Sequence, residues 1–273
     1  SLPMSDLEAH LVAPISPFKQ TTLQAQIALS QGDPTAAFKF LKRSISMAGG
    51  ANILQFQVQM ARLLSRSGAQ KEASLAWRMV LEQAVDHREA VVFCLEHALE
   101  HKLYDQASET LAAFQPSRQN TDLVPFYEAR ISEAKGQLST ATRLYEALSD
   151  TDSVVYADVA RIRLARMVQG TGDRSAASSR WAIVRKHDPK NTEALRFGID
   201  EAVLQGDIGQ ANGFLERLRP KLSKSEAVLL EARILGDAPA AVVFLERAVA
   251  DAPDDLKTRH TLALAQMRQG NLE

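Results

Sequence analysis

The sequence is short of several features on which particular functions depend. It holds one cysteine in 273 residues, so no disulfide can form within the chain. Lysine and arginine number 32 against 33 acidic residues, and the resulting net charge of −1 gives no overall field to attract nucleic acid or anionic lipid. No apolar run approaches the roughly 18–20 residues that a membrane-spanning helix needs. We therefore predict no nucleic-acid partner and no direct membrane insertion.

Motifs of nucleophilic and phosphate chemistry are also missing. The chain has no G-x-S-x-G, and no S-x-x-K followed by the rest of its motif set. Gly170 and Gly172 form one glycine pair and Gly206 and Gly209 another, but neither follows a strand, as a phosphate-binding loop requires. No stretch alternates like a strand over more than a few positions. The prediction is an all-α protein that is not an enzyme and uses no cofactor.

What the sequence does contain is a glycine that recurs about every 34 residues. These turn glycines are Gly32, Gly68, Gly136, Gly172, Gly206, Gly236 and Gly270. The double interval between Gly68 and Gly136 places a turn without glycine at Lys102. An alanine stands five residues after each of the first seven turns, at Ala37, Ala73, Ala107, Ala141, Ala177, Ala211 and Ala241. A large apolar residue follows four positions later, at Leu41, Trp77, Leu111, Tyr145, Trp181, Leu215 and Leu245.

This spacing is typical of two helices joined by a short turn. Small residues let the helices approach closely, and the large residue one turn later fills the space beside them. Glycine ends the first helix because it adopts the left-handed conformation without a Cβ penalty. An aspartate follows four of the glycines and can cap the second helix, at Asp33, Asp173, Asp207 and Asp237. The interval before Gly236 is four residues short, which predicts a clipped helix near Pro220–Ser225.

With closing prolines at Pro189 and Pro253, the pattern resembles the tetratricopeptide repeat (TPR) over about residues 18–272. The resemblance implies a right-handed α–α superhelix, a TPR-like solenoid of about seven helix pairs plus one truncated repeat. The predicted repeats cover 18–50, 54–86, 88–119, 122–150, 153–191, 192–221, 222–254 and 256–272, in one domain. Residues 1–17 are predicted to form a tail or a short capping helix.

The resemblance also implies that the first helices line a concave face. Offsets from the turn glycines predict a binding strip of aliphatic and aromatic anchors flanked by arginines that would fix carboxylates. The predicted residues are Val58, Arg62, Arg66, Val92, Glu96, Phe126, Arg130, Ile162, Arg166 and Arg196. The alternative is an ordinary solvated helix face whose arginines and glutamates neutralise one another.

The leading functional hypothesis is a non-enzymatic scaffold that binds a protein or peptide segment in this groove. By analogy with the family, we expect it to belong to a larger bacterial protein of secretion, pilus or exopolysaccharide assembly, in the cytoplasm or periplasm and with a parent protein that is membrane-associated. A second hypothesis is a self-association module that forms a homo-oligomer. A third is a metal or small-ligand site at Cys94, His97 and His101, which share one helix face. However, the sequence offers no further strong ligand from elsewhere, and a packed structural position explains Cys94 better than metal binding does.

Overall fold

The computed structural model describes residues 17–47, 53–114, 122–151 and 155–270, and every regular element in these ranges is helical. The first four repeats comprise α1 and α2 (Pro17–Ser30, Pro34–Met47), α3 and α4 (Ile53–Arg66, Gln70–Gln83), α5 and α6 (Arg88–Glu100, Tyr104–Ala113), and α7 and α8 (Leu123–Ala134, Leu138–Ser149). The next three comprise α9 and α10 (Ala157–Gly170, Arg174–His187), α11 and α12 (Thr192–Leu204, Ile208–Leu218), and α13 and α14 (Lys224–Leu235, Pro239–Asp251). A single first helix follows, α15 (Leu256–Arg268).

Seven helix pairs and one further first helix confirm the predicted all-α, TPR-like solenoid. The chain divides into two compact units, residues 1–141 and 142–273, with the boundary inside α8. The single domain predicted over residues 18–272 stays a prediction. The predicted tail or capping helix lies outside the described residues except for Pro17, which begins α1.

The turn inside each helix pair depends on one residue in the left-handed backbone conformation. All seven turn glycines have positive φ, from +64° at Gly236 to +82° at Gly172. Lys102, which stands where the glycine is missing, adopts the same conformation with φ of +59°. The third repeat therefore keeps positive φ at its turn without glycine, whereas the turn at Gly236 differs in ψ, which is −137°.

The aspartate caps are confirmed at three of the four predicted positions. Oδ1 of Asp33, Asp173 and Asp207 each accepts the backbone N–H three residues later, at 2.9 Å. The prediction for Asp237 is wrong, because α14 begins one residue later in its repeat, at Pro239, and Ala238 becomes the N-cap. The Asp237 carboxylate instead pairs with Arg268, with Oδ1 3.3 Å from Nη1.

The core follows the predicted small-and-large pattern. The seven alanines that follow the turns are at most 1% exposed, and the large residues four positions later are at most 7% exposed. Each tryptophan in the set also satisfies its indole N–H. Trp77 Nε1 donates to Ser65 Oγ at 3.0 Å, and Trp181 Nε1 donates to Gln169 Oε1 at 2.8 Å. Both acceptors lie three residues before their turn glycine, so one interaction recurs in two repeats.

The junction between the sixth and seventh repeats is clipped, as the short interval predicts. α12 has 11 residues, and the chain passes through a 3-10 turn, Arg219–Lys221, before α13. A capping box then starts α13. Ser223 Oγ accepts the Glu226 N–H at 3.2 Å, and the Glu226 carboxylate accepts the Ser223 N–H at 3.0 Å. These bonds satisfy N–H groups that the first turn of the helix would leave unpaired.

Candidate protein-binding surface

The predicted binding residues lie on the first helices of repeats two to six, but they differ in exposure. Arg62, Arg66, Glu96 and Arg166 are exposed, and Val92, Arg130, Ile162 and Arg196 are half-buried. Val58 is 8% exposed and Phe126 5% exposed, so both are part of the core. The interpretation of Val58 and Phe126 as exposed anchors is therefore wrong.

The apolar members of the strip pack inside the protein because their offset lies at the edge of the face that contacts neighbouring helices. Val58 is in the core cluster that includes Ala61 and Trp77. Ile162 packs against the cluster of Ala165 and Trp181. These side chains stabilise the stacked helices, and Val58 offers almost no surface to a partner.

In the first unit, Arg62 and Glu96 pair with side chains of opposite charge on the next first helix. Arg62 Nε lies 3.0 Å and 2.9 Å from the two carboxylate oxygens of Glu89. Glu96 forms an ion pair with Arg130, and the Tyr127 hydroxyl donates to Glu96 Oε1 at 2.6 Å. Arg62 and Glu89 join α3 to α5, and Glu96 and Arg130 join α5 to α7.

In the second unit, similar pairs join α9 to α11 and α11 to α13. Arg166 Nε donates to Glu193 Oε2 at 2.7 Å, and this bond lowers the pKa of Glu193, although burial opposes the shift. Arg196 Nη2 donates to Glu226 Oε1 at 3.0 Å. The partners in the Arg166 pair are 27 residues apart, as are Arg62 and Glu89. Both pairs therefore occupy the same position in their repeats, and the alternative of mutual neutralisation describes much of this face.

An open groove nevertheless lies beside these pairs in the second unit, between α9, α10 and α11. It has a volume of about 430 Å³ and is lined chiefly by Arg166, Gln169, Trp181, Arg196, Phe197 and Asp200. The Trp181 and Phe197 ring centroids are 6.0 Å apart and the rings are tilted by 30°. We call this the α9–α11 groove. Its floor is formed by the half-buried Phe197, which packs on the almost fully buried Trp181, and its walls carry both signs of charge.

Sequence reasoning identifies two arginines of the α9–α11 groove but not its aromatic floor. The repeat pattern places Trp181 in the core, and only 2% of it is exposed. Asp200 lies at the same offset as Arg62 and Arg166, six residues before its turn. This shared offset is the sequence signal that places Asp200 on the same face as those arginines. Phe197 follows Arg196 directly and is not predicted.

The cluster at Cys94, His97 and His101 does not form one ligand set. Cys94 is 1% exposed in the core, and burial raises the pKa of its thiol to about 11, partly offset by Arg78. The His97 and His101 rings stack with centroids 4.2 Å apart. Within the described ranges, no group of three or more His, Cys, Asp or Glu residues is arranged to hold a metal ion. The thiol is therefore directed into the core and the two imidazoles pack on each other.

Among the helices that the structure describes, none is both long enough and apolar enough to cross a bilayer.

Comparisons with known proteins bear on the fold. No family model matches the sequence, and no curated protein matches it. A tetratricopeptide repeat protein from Parabacteroides merdae has a similar structure, with a TM-score of 0.52, 11% sequence identity, and coverage of 92% of this chain and 99% of that one. PilW, described as a widely conserved type IV pilus biogenesis factor, has a TM-score of 0.55 and 16% identity, covering 78% and 100% of the two chains. These similarities agree with the repeat pattern, and the chain has a TPR-like helical repeat fold.

Proposed function

We propose that the protein is a non-enzymatic scaffold that holds a peptide or protein segment against the first helices of its repeats. The observation that carries the proposal is the α9–α11 groove. An open, partly aromatic groove suits a side chain of a partner better than a reaction, because catalysis generally needs convergent groups in a closed pocket. Repeat folds also present extended surfaces of this kind for binding.

Arg196 is the cation best placed to meet a partner. Its side chain is 43% exposed, and it pairs with Glu226 through Nη2. A guanidinium carries five N–H donors, so donors remain for a carboxylate of the partner. The half-buried Phe197 lies beside it in the groove and packs on the buried Trp181. The chemistry therefore favours a segment in which an apolar side chain stands next to an acidic one.

A charge swap tests this proposal without removing an ion pair. Arg166→Glu combined with Glu193→Arg keeps opposite charges facing each other and exchanges the positions of the positive and the negative charge at the groove. We expect the swapped protein to fold and to bind about tenfold less tightly, a loss of about 1.4 kcal/mol. The probes are peptides selected by the wild-type protein from a random displayed library, and binding is measured by fluorescence anisotropy.

The matched control is the corresponding pair in the first unit, Arg62→Glu with Glu89→Arg. This control has the same chemistry and the same 27-residue separation, but its residues do not line the α9–α11 groove. Binding of the selected peptides should not change. The proposal fails if the Arg166 swap binds as the wild type does, or if selection yields no peptide.

We extend the proposal to a setting in the assembly of a bacterial surface structure or secretion system. PilW, which shares the fold, is described as a pilus biogenesis factor, and the sequence resemblance implies similar assembly proteins. A pull-down from a pilus- or secretion-competent bacterium tests this extension. Recovery of no assembly component by the wild type, or equal recovery by the Arg166 swap, counts against it.

Self-association is the second candidate function, and α15 provides the observation that favours it. Three large apolar residues are exposed on one side of this helix, with exposures of 69% for Leu256, 41% for Leu264 and 55% for Met267. A second copy would cover this stripe. Sedimentation equilibrium should then show an association that Leu264→Glu with Met267→Glu abolishes. A protein that is monomeric at every concentration would eliminate this candidate.

A further inference from the structure

A second group of cations lies in the last turns of the second helices of this unit and in the segments that follow them, and it differs from the groove arginines in its pairing. It consists of Arg185, Lys190, Arg217 and Lys221, which we call the cationic edge. Arg166 and Arg196, the arginines that line the groove, have carboxylate partners. Among the described residues, no member of the cationic edge forms an ion pair.

Contacts link these residues in two pairs, one of lysines and one of arginines, and the members of each pair come from separate elements. Lys221, in the 3-10 turn after α12, donates from Nζ to the Lys190 carbonyl oxygen at 2.8 Å. Arg185, in the last turn of α10, and Arg217, in the last turn of α12, lie 5.1 Å and 6.0 Å from the centre of the Phe214 ring. Arg185 also donates from Nη1 to the Ala194 carbonyl oxygen at 3.1 Å. The cationic edge therefore consists of two arginines held against one ring and two lysines linked through one backbone carbonyl, at the ends of the second helices of two consecutive repeats.

The nearby carboxylates bond to backbone groups or to side chains outside the cationic edge, and among the described residues none of them forms an ion pair with its cations. Asp188 accepts the Lys190 backbone N–H at 3.1 Å and a bond from the Asn191 side chain. Glu216 pairs with Arg219. Glu201 pairs with Arg174, although its charge still reaches Arg185. Burial lowers the pKa of Arg185, the charge of Arg217 lowers it further, and Glu201 partly opposes both effects. The positive charges of Arg185 and Arg217 are thus close enough to repel each other, and a bound anion would reduce this repulsion.

We propose that the cationic edge binds an acidic segment of a protein partner, on a surface separate from the α9–α11 groove. Guanidinium groups match carboxylates in a bidentate geometry, and lysines add point charges beside them. Helices of neighbouring repeats are spaced by about 8–10 Å. Side chains on one side of an extended chain repeat about every 7 Å, so successive acidic residues of a segment can reach successive cations.

Nucleic acid and membranes fit this surface less well. Single-stranded nucleic acid usually stacks its bases on aromatic rings, and the aromatic ring here, Phe214, is half-buried with two guanidinium groups already placed against it. The whole chain carries a net charge of −1, which provides no wide positive field for a duplex or an anionic bilayer.

The test measures the binding of a fluorescein-labelled oligoglutamate peptide by anisotropy, from low salt to about 0.15 M. We expect the wild type to bind the peptide, with an affinity that falls as salt rises. Lys190→Glu with Lys221→Glu should weaken binding by about tenfold or more. The matched control is Lys39→Glu with Lys42→Glu, which reverses two exposed lysines on α2. It should leave the affinity unchanged.

Two further variants keep the test decisive. Lys190→Gln with Arg217→Gln removes charge without reversing it and should give an intermediate loss, while circular dichroism confirms that each variant is folded. The groove swap of Arg166 and Glu193 should bind oligoglutamate as the wild type does, which separates this proposal from the proposed function. The proposal is overturned if the wild type does not bind the peptide at low salt, or if the reversed variant binds it equally well. Tighter binding to phosphatidylserine–phosphatidylcholine vesicles or to a single-stranded oligodeoxynucleotide would also overturn it.

Discussion

At the scale of single residues, backbone conformation alone decides what fits at the turn between two helices. A Cβ at Gly136 or Gly172 would meet no atom within 4 Å, so space does not require glycine there. The requirement comes from positive φ, which costs other residues about 1–2 kcal/mol. Lys102 adopts this conformation with φ of +59°. The third repeat therefore folds with strain that the other repeats avoid.

Relief of this strain gives the first prediction. Lys102→Gly should stabilise the protein by about 0.5–1 kcal/mol, because the gain in backbone energy exceeds the entropy that glycine adds to the unfolded chain. Urea unfolding followed by circular dichroism measures the change. Gly136→Lys is the reverse control and should destabilise by a similar amount. A lower urea midpoint for Lys102→Gly would contradict this explanation.

Gly198 shows the opposite case, in which space is the limit. A Cβ at Gly198 would lie 2.9 Å from Cε2 of the Phe214 ring, which two arginines also flank. We predict that Gly198→Ala destabilises by about 1–3 kcal/mol despite the better helix propensity of alanine. A Cβ at Gly213 on α12 would meet no atom within 4 Å, so Gly213→Ala should stabilise by about 0.5–1 kcal/mol.

Thermal unfolding of these two alanine variants tests the prediction through its sign. A gain in stability from both substitutions would mean that Phe214 moves aside freely at Gly198. A loss of stability from both substitutions would mean that the better helix propensity of alanine has little influence at Gly198 and Gly213.

At the scale of helices, the sequence predicts contacts within a helix pair better than contacts between pairs. The residues that pack one helix pair lie within a short stretch of chain: the turn glycine, the alanine after it, and the large residue such as Trp77 or Trp181. Their spacing alone therefore predicts how the two helices of a pair pack. The bond between Arg62 and Glu89 depends on how one repeat stacks on the next. A single sequence does not display that register, because many acidic residues lie at similar distances along the chain.

Exposure at the edge of a packing face is equally hard to predict. Val58, Phe126, Val92 and Ile162 share one offset from their turns, and the first two are buried while the others are half-buried. Their fractional exposure depends on the size of the neighbouring side chains, such as Tyr127, whose ring packs edge-on at 5.3 Å from that of Phe126. The repeat pattern predicts the helix and the approximate face, but not which residues remain accessible.

The contact between α4 and α5 should respond to acid. The pKa of His97 is lowered by burial first, then by His101 and by Arg78 on α4, while Glu100 opposes the shift. Its Nδ1 is buried and makes no hydrogen bond to a described residue. The unfolded chain binds a proton at His97 more readily than the folded protein does. The stability that neutral His97 contributes is therefore fully present above about pH 6.5 and is lost as the pH falls toward the lower folded pKa.

We therefore predict that His97→Gln reduces the loss of stability on acidification. Urea midpoints measured between about pH 7.5 and pH 5 give the slope for each protein. His260→Gln, at an exposed position on α15, is the control and should keep the wild-type slope. An unchanged slope in His97→Gln would show that other groups cause the acid sensitivity.

At the scale of the whole molecule, stability is distributed along the chain. Within each unit, the substantial contacts join helices that are adjacent or next but one in sequence. A fold of this type has no single centre, and each repeat depends on its neighbours. Helices therefore differ in stability according to how much of each is covered. In the second unit, α11 buries Leu195, Ile199 and Ala202 completely, whereas Thr258 is the buried residue of α15.

Hydrogen exchange should reveal this gradient. We predict that backbone amides in α11 exchange at least about tenfold more slowly than those in α15, since local opening of α15 exposes little apolar surface. Exchange followed by mass spectrometry of peptides covers both helices in one experiment. Equal protection would indicate that the second unit opens only as a whole.

The two tryptophans give the molecule a separate optical reporter in each unit. Trp77 belongs to the first unit and Trp181 to the second, at equivalent positions and almost completely buried, and the chain has no others. In a Trp77→Phe protein, all tryptophan emission would come from the second unit, and Trp181→Phe would isolate the first. Because Trp181 also lines the α9–α11 groove, a segment entering that groove would alter the emission of one tryptophan and leave the other as an internal reference.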